Sequence, residues 1–237
     1  MRRSQINRVI SEAIELFNEK GVRLPPWAYW KQSDWKSVGH EADEIRSHGL
    51  GWNLTDFASN DFEKVGLLLF IVRNGHFTHN EPITTKTYAE KYMVVQPGQV
   101  TPWHFHWCKT EDLINRSGGR LQVELAWAGE DEKSLSDREV TVQVDGVQRK
   151  ISAEGIILLD PGESVTLSPR MCHKFSGYSK DKQVLAGEIS SLNDDTTDNC
   201  FLGKPFGRTA IDEDEPPKYL ISSDYAITRL SGLIRES

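Results

Sequence analysis

The run Trp103-His104-Phe105-His106-Trp107-Cys108-Lys109-Thr110-Glu111 sets two imidazoles close to one carboxylate, and His173 follows about sixty residues later. On a strand, residues two apart share a face, so His104 and His106 can point at one ion. Glu111 can return from the next strand if a tight turn intervenes. Nitrogen and oxygen donors of this kind suit Mn, Fe, Zn, Co or Ni, and His173 completes a three-histidine, one-glutamate set. A His-X-His pair alone is weak, because solvated strand faces carry it by chance. Here Trp103 and Trp107 restrict water, and neutral imidazoles held in such surroundings favour a cation. Cys108 and Cys172 lie beside these residues and read as small packing side chains.

Strands must carry these ligands, and the chain supplies them from about residue 86 onward. Expected strands are Thr87 to Val95, Val100 to His106, Leu121 to Trp127, Glu139 to Val144, Ile156 to Leu159, Ser164 to Leu167 and Gln183 to Ser190. Turns fall at Pro97-Gly98, Gly118-Gly119, Asp145-Gly146 and Pro161-Gly162. Short strands at this spacing, without long helices between them, predict an antiparallel sandwich or barrel, that is, an all-β core. Before it, Ile6, Val9, Ile10, Ala13, Ile14 and Phe17 recur at helical spacing, with Ser4 as the expected cap and Gly21 as the stop. A short helix from Ala42 towards Gly49 and a buried strand, Leu67 to Val72, follow.

The chain has 237 residues, 38% of them hydrophobic and 27% charged, as in an ordinary soluble globular protein. A formal charge of -7 gives no electrostatic reason to expect nucleic acid or an anionic membrane as partner. No run reaches the roughly twenty apolar residues of a membrane span, and the basic start lacks the apolar core of a signal peptide. The expectation is a cytoplasmic protein. Three cysteines, widely spaced, provide no disulfide framework.

Gly98, His104-Phe105-His106, Glu111 and Gly118 match the spacing of the first cupin motif. Pro161-Gly162 through Pro169 and His173 resembles the second, with one residue fewer before the histidine and Gly177 where asparagine is common. A wider resemblance, to the bacterial D-lyxose isomerase family, covers most of the chain. It is carried by Leu24-Pro25-Pro26, Lys86 through Lys91, Thr101 through Trp107, Lys109 through Arg116 and Gly118-Gly119. Glu188, Asn193-Asp194-Asp195, Asn199, Phe201 and Asp212 through Pro217 continue it.

The resemblance implies a cupin double-stranded β-helix barrel over residues 86–237, including a C-terminal closing segment. Residues 1–85 would form a helical and strand extension packed on it. It also implies one Mn²⁺ per subunit, a homodimer, and a free sugar as substrate: D-lyxose with D-xylulose, and D-mannose with D-fructose as a further pair. Under that reading His104, His106, Glu111 and His173 hold the metal. Glu213 is the first candidate for the proton shuttle, with Glu215 behind it, and Lys109 binds a sugar oxygen or stabilises an enediolate. Glu90, Asp194, Asp195, Asn199 and Arg208 are candidate sugar contacts. Glu90 and Lys91 face opposite ways on a regular strand, so only one of them should enter the barrel. The alternatives are an Fe-dependent cupin oxygenase with the same four ligands and a non-catalytic sugar-binding cupin.

Overall fold

A computed structural model describes residues 1–75, 86–179, 181–195, 197–203 and 209–225. The apolar stripe near the N-terminus forms helix α1 (Arg3–Glu19), burying Ile6, Val9, Ile10, Ala13 and Phe17 on one face. Ser4 is not its cap. The N-cap position is Arg2, which makes no side-chain cap bond. Instead Asp214, distant in sequence, accepts from the Ser4 backbone N at 2.9 Å and from its Oγ at 2.6 Å. A carboxylate there satisfies first-turn donors and complements the positive end of the helix dipole. Two short helices follow, α2 (Gln32–Ser37) and α3 (Asp43–Ser47).

Apart from short 3₁₀ turns, the remaining elements are antiparallel strands in two layers. The first layer, in spatial order, is β1 (Gly51–Thr55), β2 (Leu67–Arg73), β3 (Tyr88–Val95), β13 (Val184–Ser191), β5 (Glu111–Gly118), β11 (Ser164–Leu167), β8 (Val140–Val144) and β9 (Val147–Ile151). The second is β10 (Gly155–Leu159), β6 (Leu121–Ala128), β12 (Met171–Gly177), β4 (Val100–Phe105) and β14 (Cys200–Phe201), with β7 (Leu135–Ser136) paired to β6. From β4 to β13 the chain passes back and forth between the layers. Their inner faces share one core that includes Met93, Val95, Leu113, Val123, Leu125, Val142, Val165 and Phe175. The result is a helical N-terminal region on a curled, partly closed, cupin-like β structure.

Period-2 alternation decides which side chains reach the interior. Met93 and Val95 of β3 face the shared core, whereas Tyr92 and Val94 face α1. The outer face of β2, β3 and β13 is covered by α1, with Phe17 packed edge-on against Trp52 and Tyr92. Burial on both faces accounts for the unbroken apolar run Leu67 to Val72. The Asp145-Gly146 hairpin joins β8 to β9 as expected, both turn residues having positive φ, 50° and 79°. No helix of the described residues is long and apolar enough to cross a membrane.

Candidate metal centre and cavity

His104 and His173 are direct cross-strand partners on β4 and β12, with ring centroids 4.0 Å apart. The pairing slips one residue beyond them. Thr101 faces Phe175, so three steps of β4 match two of β12. This β-bulge contains Pro102, which cannot donate to a ladder and is tolerated where the pairing is irregular. It brings Thr101 and His104, an odd number of residues apart, to the same cavity wall. His106 continues from His104 with the regular period of two, and its ring lies 5.6 Å from that of His173.

Each imidazole is held by a backbone carbonyl at Nδ1. The partners are Pro102 O at 2.8 Å for His104, Asp198 O at 2.7 Å for His106 and Met171 O at 3.1 Å for His173. A carbonyl only accepts, so Nδ1 carries a proton in each, and Nε2 is the nitrogen left to face the cluster. Burial and the two neighbouring imidazoles push the His104 pKa well below the usual histidine range, keeping it neutral. The ligand atoms of His104, His106 and His173 all lie within 4.8 Å of one another. Buried Glu111 Oε1 lies 3.0 Å from His173 Nε2 and 3.5 Å from His106 Nε2, yet receives no hydrogen bond. Three imidazole nitrogens converging beside a buried carboxylate oxygen that lacks a hydrogen bond fit a divalent cation, with carbonyl partners orienting the imidazoles.

The second oxygen of Glu111 belongs to a buried chain of alternating charges. Lys109 Nζ lies 2.6 Å from Glu111 Oε2 and 2.9 Å from Glu188 Oε1, and Lys91 Nζ lies 3.0 Å from the same Glu188 oxygen. Asn193 Oδ1 accepts from Lys91 at 2.5 Å. Burial opposes the charge on Lys109, but Glu111 and Glu188 outweigh it and raise its pKa. Burial likewise opposes the charge on Glu188, and Lys109 and Lys91 hold its carboxyl below the ordinary glutamate value. Both groups are therefore ionised at neutral pH.

Lys91, Lys109, Glu111, Glu188 and the three histidines line one cavity of about 560 Å³, a usual size for a small-molecule site. Leu67, Leu69, Met93, Leu113 and Phe175 form its apolar wall, and Phe201 stacks on the His104 ring at 5.0 Å. Asn53 and Thr55 contribute polar groups from β1 at the edge of the first layer, and Thr209, Ser222 and Ser223 from the segment after β14.

The expected sugar contacts divide. Asp195 and Asn199 line the cavity, and Lys109 lies at its charged end. Asp194 does not line it; its carboxylate accepts from the Thr197 backbone and hydroxyl, closing a turn. Glu90 points away to Arg73, 3.2 Å off, and Lys91 is the member of that pair that enters. Arg208 lies outside the described residues.

The two expected proton shuttles are not on the cavity wall either. Glu213 accepts from Arg3 at 2.6 and 2.8 Å, and Glu215 accepts from Asn7 at 2.6 Å. Arg3 holds the Glu213 carboxyl below the usual range, against a smaller opposing effect of burial. With Asp214 on Ser4, this acidic run docks the first turns of α1. Glu213→Gln is accordingly expected to leave turnover near wild type. It should reduce stability by up to about 1 kcal/mol, because the carboxylate is half exposed and Arg3 keeps Asp224. Urea unfolding and initial rates on the same preparation check both.

Glu188 is the cavity carboxylate that residue spacing did not single out. Its signal was a lone charge within the apolar strand Val184-Leu185-Ala186-Gly187-Glu188-Ile189, on the inward parity of Val184 and Ala186.

Residues 1–225 match the family described as D-lyxose isomerase. A D-lyxose/D-mannose isomerase of Escherichia coli O157:H7 is 42% identical over 227 residues, 95% of this chain and 98% of the relative. One from Serratia proteamaculans is 40% identical over the same shares. Among solved structures, an L-ribose isomerase variant of Acinetobacter sp. DL28, in complex with L-ribose, aligns with a TM-score of 0.59. It is 15% identical, over 90% of this chain and 98% of that one, a likeness of fold.

Proposed function

The chain belongs to the D-lyxose isomerase family, and from that premise we propose that it interconverts D-lyxose and D-xylulose, and also D-mannose and D-fructose. The observation that carries the reading is a buried carboxylate, Glu188, held between Lys91 and Lys109 in the same cavity as the three-histidine cluster. We take His104, His106, Glu111 and His173 as the metal ligands and Mn²⁺ as the ion, in a homodimer. The strands from β3 onward are read as a double-stranded β-helix barrel over residues 86–237, with residues 1–85 as an extension that adds β1 and β2 to the edge of its first layer.

Isomerisation moves one hydrogen from C2 to C1 of the open-chain aldose and one from O2 to O1. The bound ion supplies positive charge for the oxygens as they become negative. Glu188, ionised and buried, takes the C2 proton and returns it to C1 through a cis-enediol. Positioned general bases of this kind contribute about 10²–10⁴-fold. The Lys109 ammonium donates towards the sugar oxygens, where fixed charge in a dry site favours an enediolate. Lys91 holds the second side of Glu188, and Asp195 and Asn199 bind hydroxyls at the rim. Glu213 and Glu215 take no part.

An anaerobic assay of metal-stripped and metal-reloaded protein tests the reading. Ketose forms from D-lyxose and from D-mannose after reloading with Mn²⁺, and not after stripping. Reloaded protein that forms no ketose from D-lyxose with Mn, Co or Fe would refute it. A reaction in ²H₂O separates the chemistry further, because proton shuttling by Glu188 exchanges solvent deuterium into C1 of the product.

A further inference from the structure

His106 and Lys109 lie just beyond the end of β4, and the residue that fixes this turn comes from a distant loop. Asp198 meets the turn three times. Its backbone carbonyl accepts from His106 Nδ1 at 2.7 Å, its Oδ1 from the Cys108 backbone N at 2.8 Å, and its Oδ2 from the Lys109 backbone N at 2.9 Å. The residue is buried, and its own backbone N donates to Asp194 O at 3.0 Å, closing the loop on itself. We infer that Asp198 is a positioning residue that ties the metal-facing orientation of His106 to the placement of Lys109.

The chemistry of the contacts supports that role. Hydrogen bonds to an ionised carboxylate are about twice as strong as neutral ones, and two oxygens serve two donors with none left over. The same residue supplies the acceptor that selects the His106 tautomer. An asparagine would keep that backbone carbonyl but could accept only one of the two N–H groups, its amide facing the other. An alanine would keep neither side-chain bond, and the carbonyl would lose the anchor that holds it under His106. The two substitutions therefore separate the halves of the role. The effect on turnover rests on the isomerase reading, whereas the effect on metal affinity does not.

The test titrates Co²⁺ into metal-free wild type, Asp198→Ala and Asp198→Asn, following visible ligand-field absorption, with kcat and KM for D-lyxose at saturating Co²⁺. Asp198→Ala should bind Co²⁺ about 10–100-fold more weakly, the usual cost of losing a partner behind a metal ligand, with an altered spectrum. Asp198→Asn should keep the wild-type affinity and spectrum while kcat falls by about 10²-fold, as for a catalytic group moved by an ångström. KM should change little. Wild-type Co²⁺ affinity in Asp198→Ala overturns the proposal whatever the turnover. If that variant does not fold, an unchanged kcat in Asp198→Asn overturns it. If wild type binds Co²⁺ but makes no ketose, the isomerase reading fails and the Co²⁺ titration still decides the role of Asp198.

Discussion

Glu188→Gln is expected to lower turnover on D-lyxose by about two to four orders of magnitude while metal uptake stays intact. The amide keeps the shape of the side chain and an acceptor for Lys109, but it cannot take a proton from carbon. None of the histidine ligand atoms depends on it: their Nδ1 groups rest on Pro102, Asp198 and Met171. Lys109 also keeps Glu111 as an anionic partner at 2.6 Å. The variant does leave Lys91 with the neutral Asn193, so urea unfolding should accompany the kinetics to place the rate loss on folded protein. Wild type should show an acid limb with a definite sign. The base works only when ionised, and Lys109 and Lys91 outweigh burial to depress its pKa. Activity therefore persists to below the ordinary glutamate value and is lost as pH falls through the lowered one. Turnover within tenfold of wild type in Glu188→Gln would move the proton transfer to another group.

The parts of this site that sequence revealed are those set by local geometry. His104 and His106 follow from the period of a strand, and the Asp145-Gly146 hairpin from turn chemistry. Glu188 needed more. Its meaning depends on Lys91 from β3 and Lys109 from the turn after β4, which meet it only through the order of strands in the first layer. The β4 bulge was equally hidden, since Pro102 signals an irregularity but not its register. The acidic run at Asp212 to Glu215 reads differently in the fold for a related reason. Charge alone does not tell a catalytic carboxylate from one that docks a helix, and the partners Arg3, Ser4 and Asn7 come from more than two hundred residues away. The same long-range contact took the capping role expected of Ser4.

His173→Ala is expected to weaken metal binding by more than the 10–100-fold typical of losing a partner behind a ligand, and to remove turnover at ordinary metal concentrations. It deletes the ring nearest to Glu111 and the one paired across the ladder with His104. The fold should survive, because Lys109 remains 2.6 Å from Glu111, so the carboxylate is not left as an uncompensated buried charge. Stability then separates ligand loss from unfolding. A metal at 100 times its dissociation constant stabilises wild type by about 2.7 kcal/mol, so chelation should lower the wild-type Tm and leave that of His173→Ala unchanged. The experiment pairs thermal unfolding, with and without chelator, with metal content after dialysis. A variant that still holds one ion per chain and still loses stability on chelation would show that His173 is not a ligand, and the assignment of the cluster as the metal centre would fail with it.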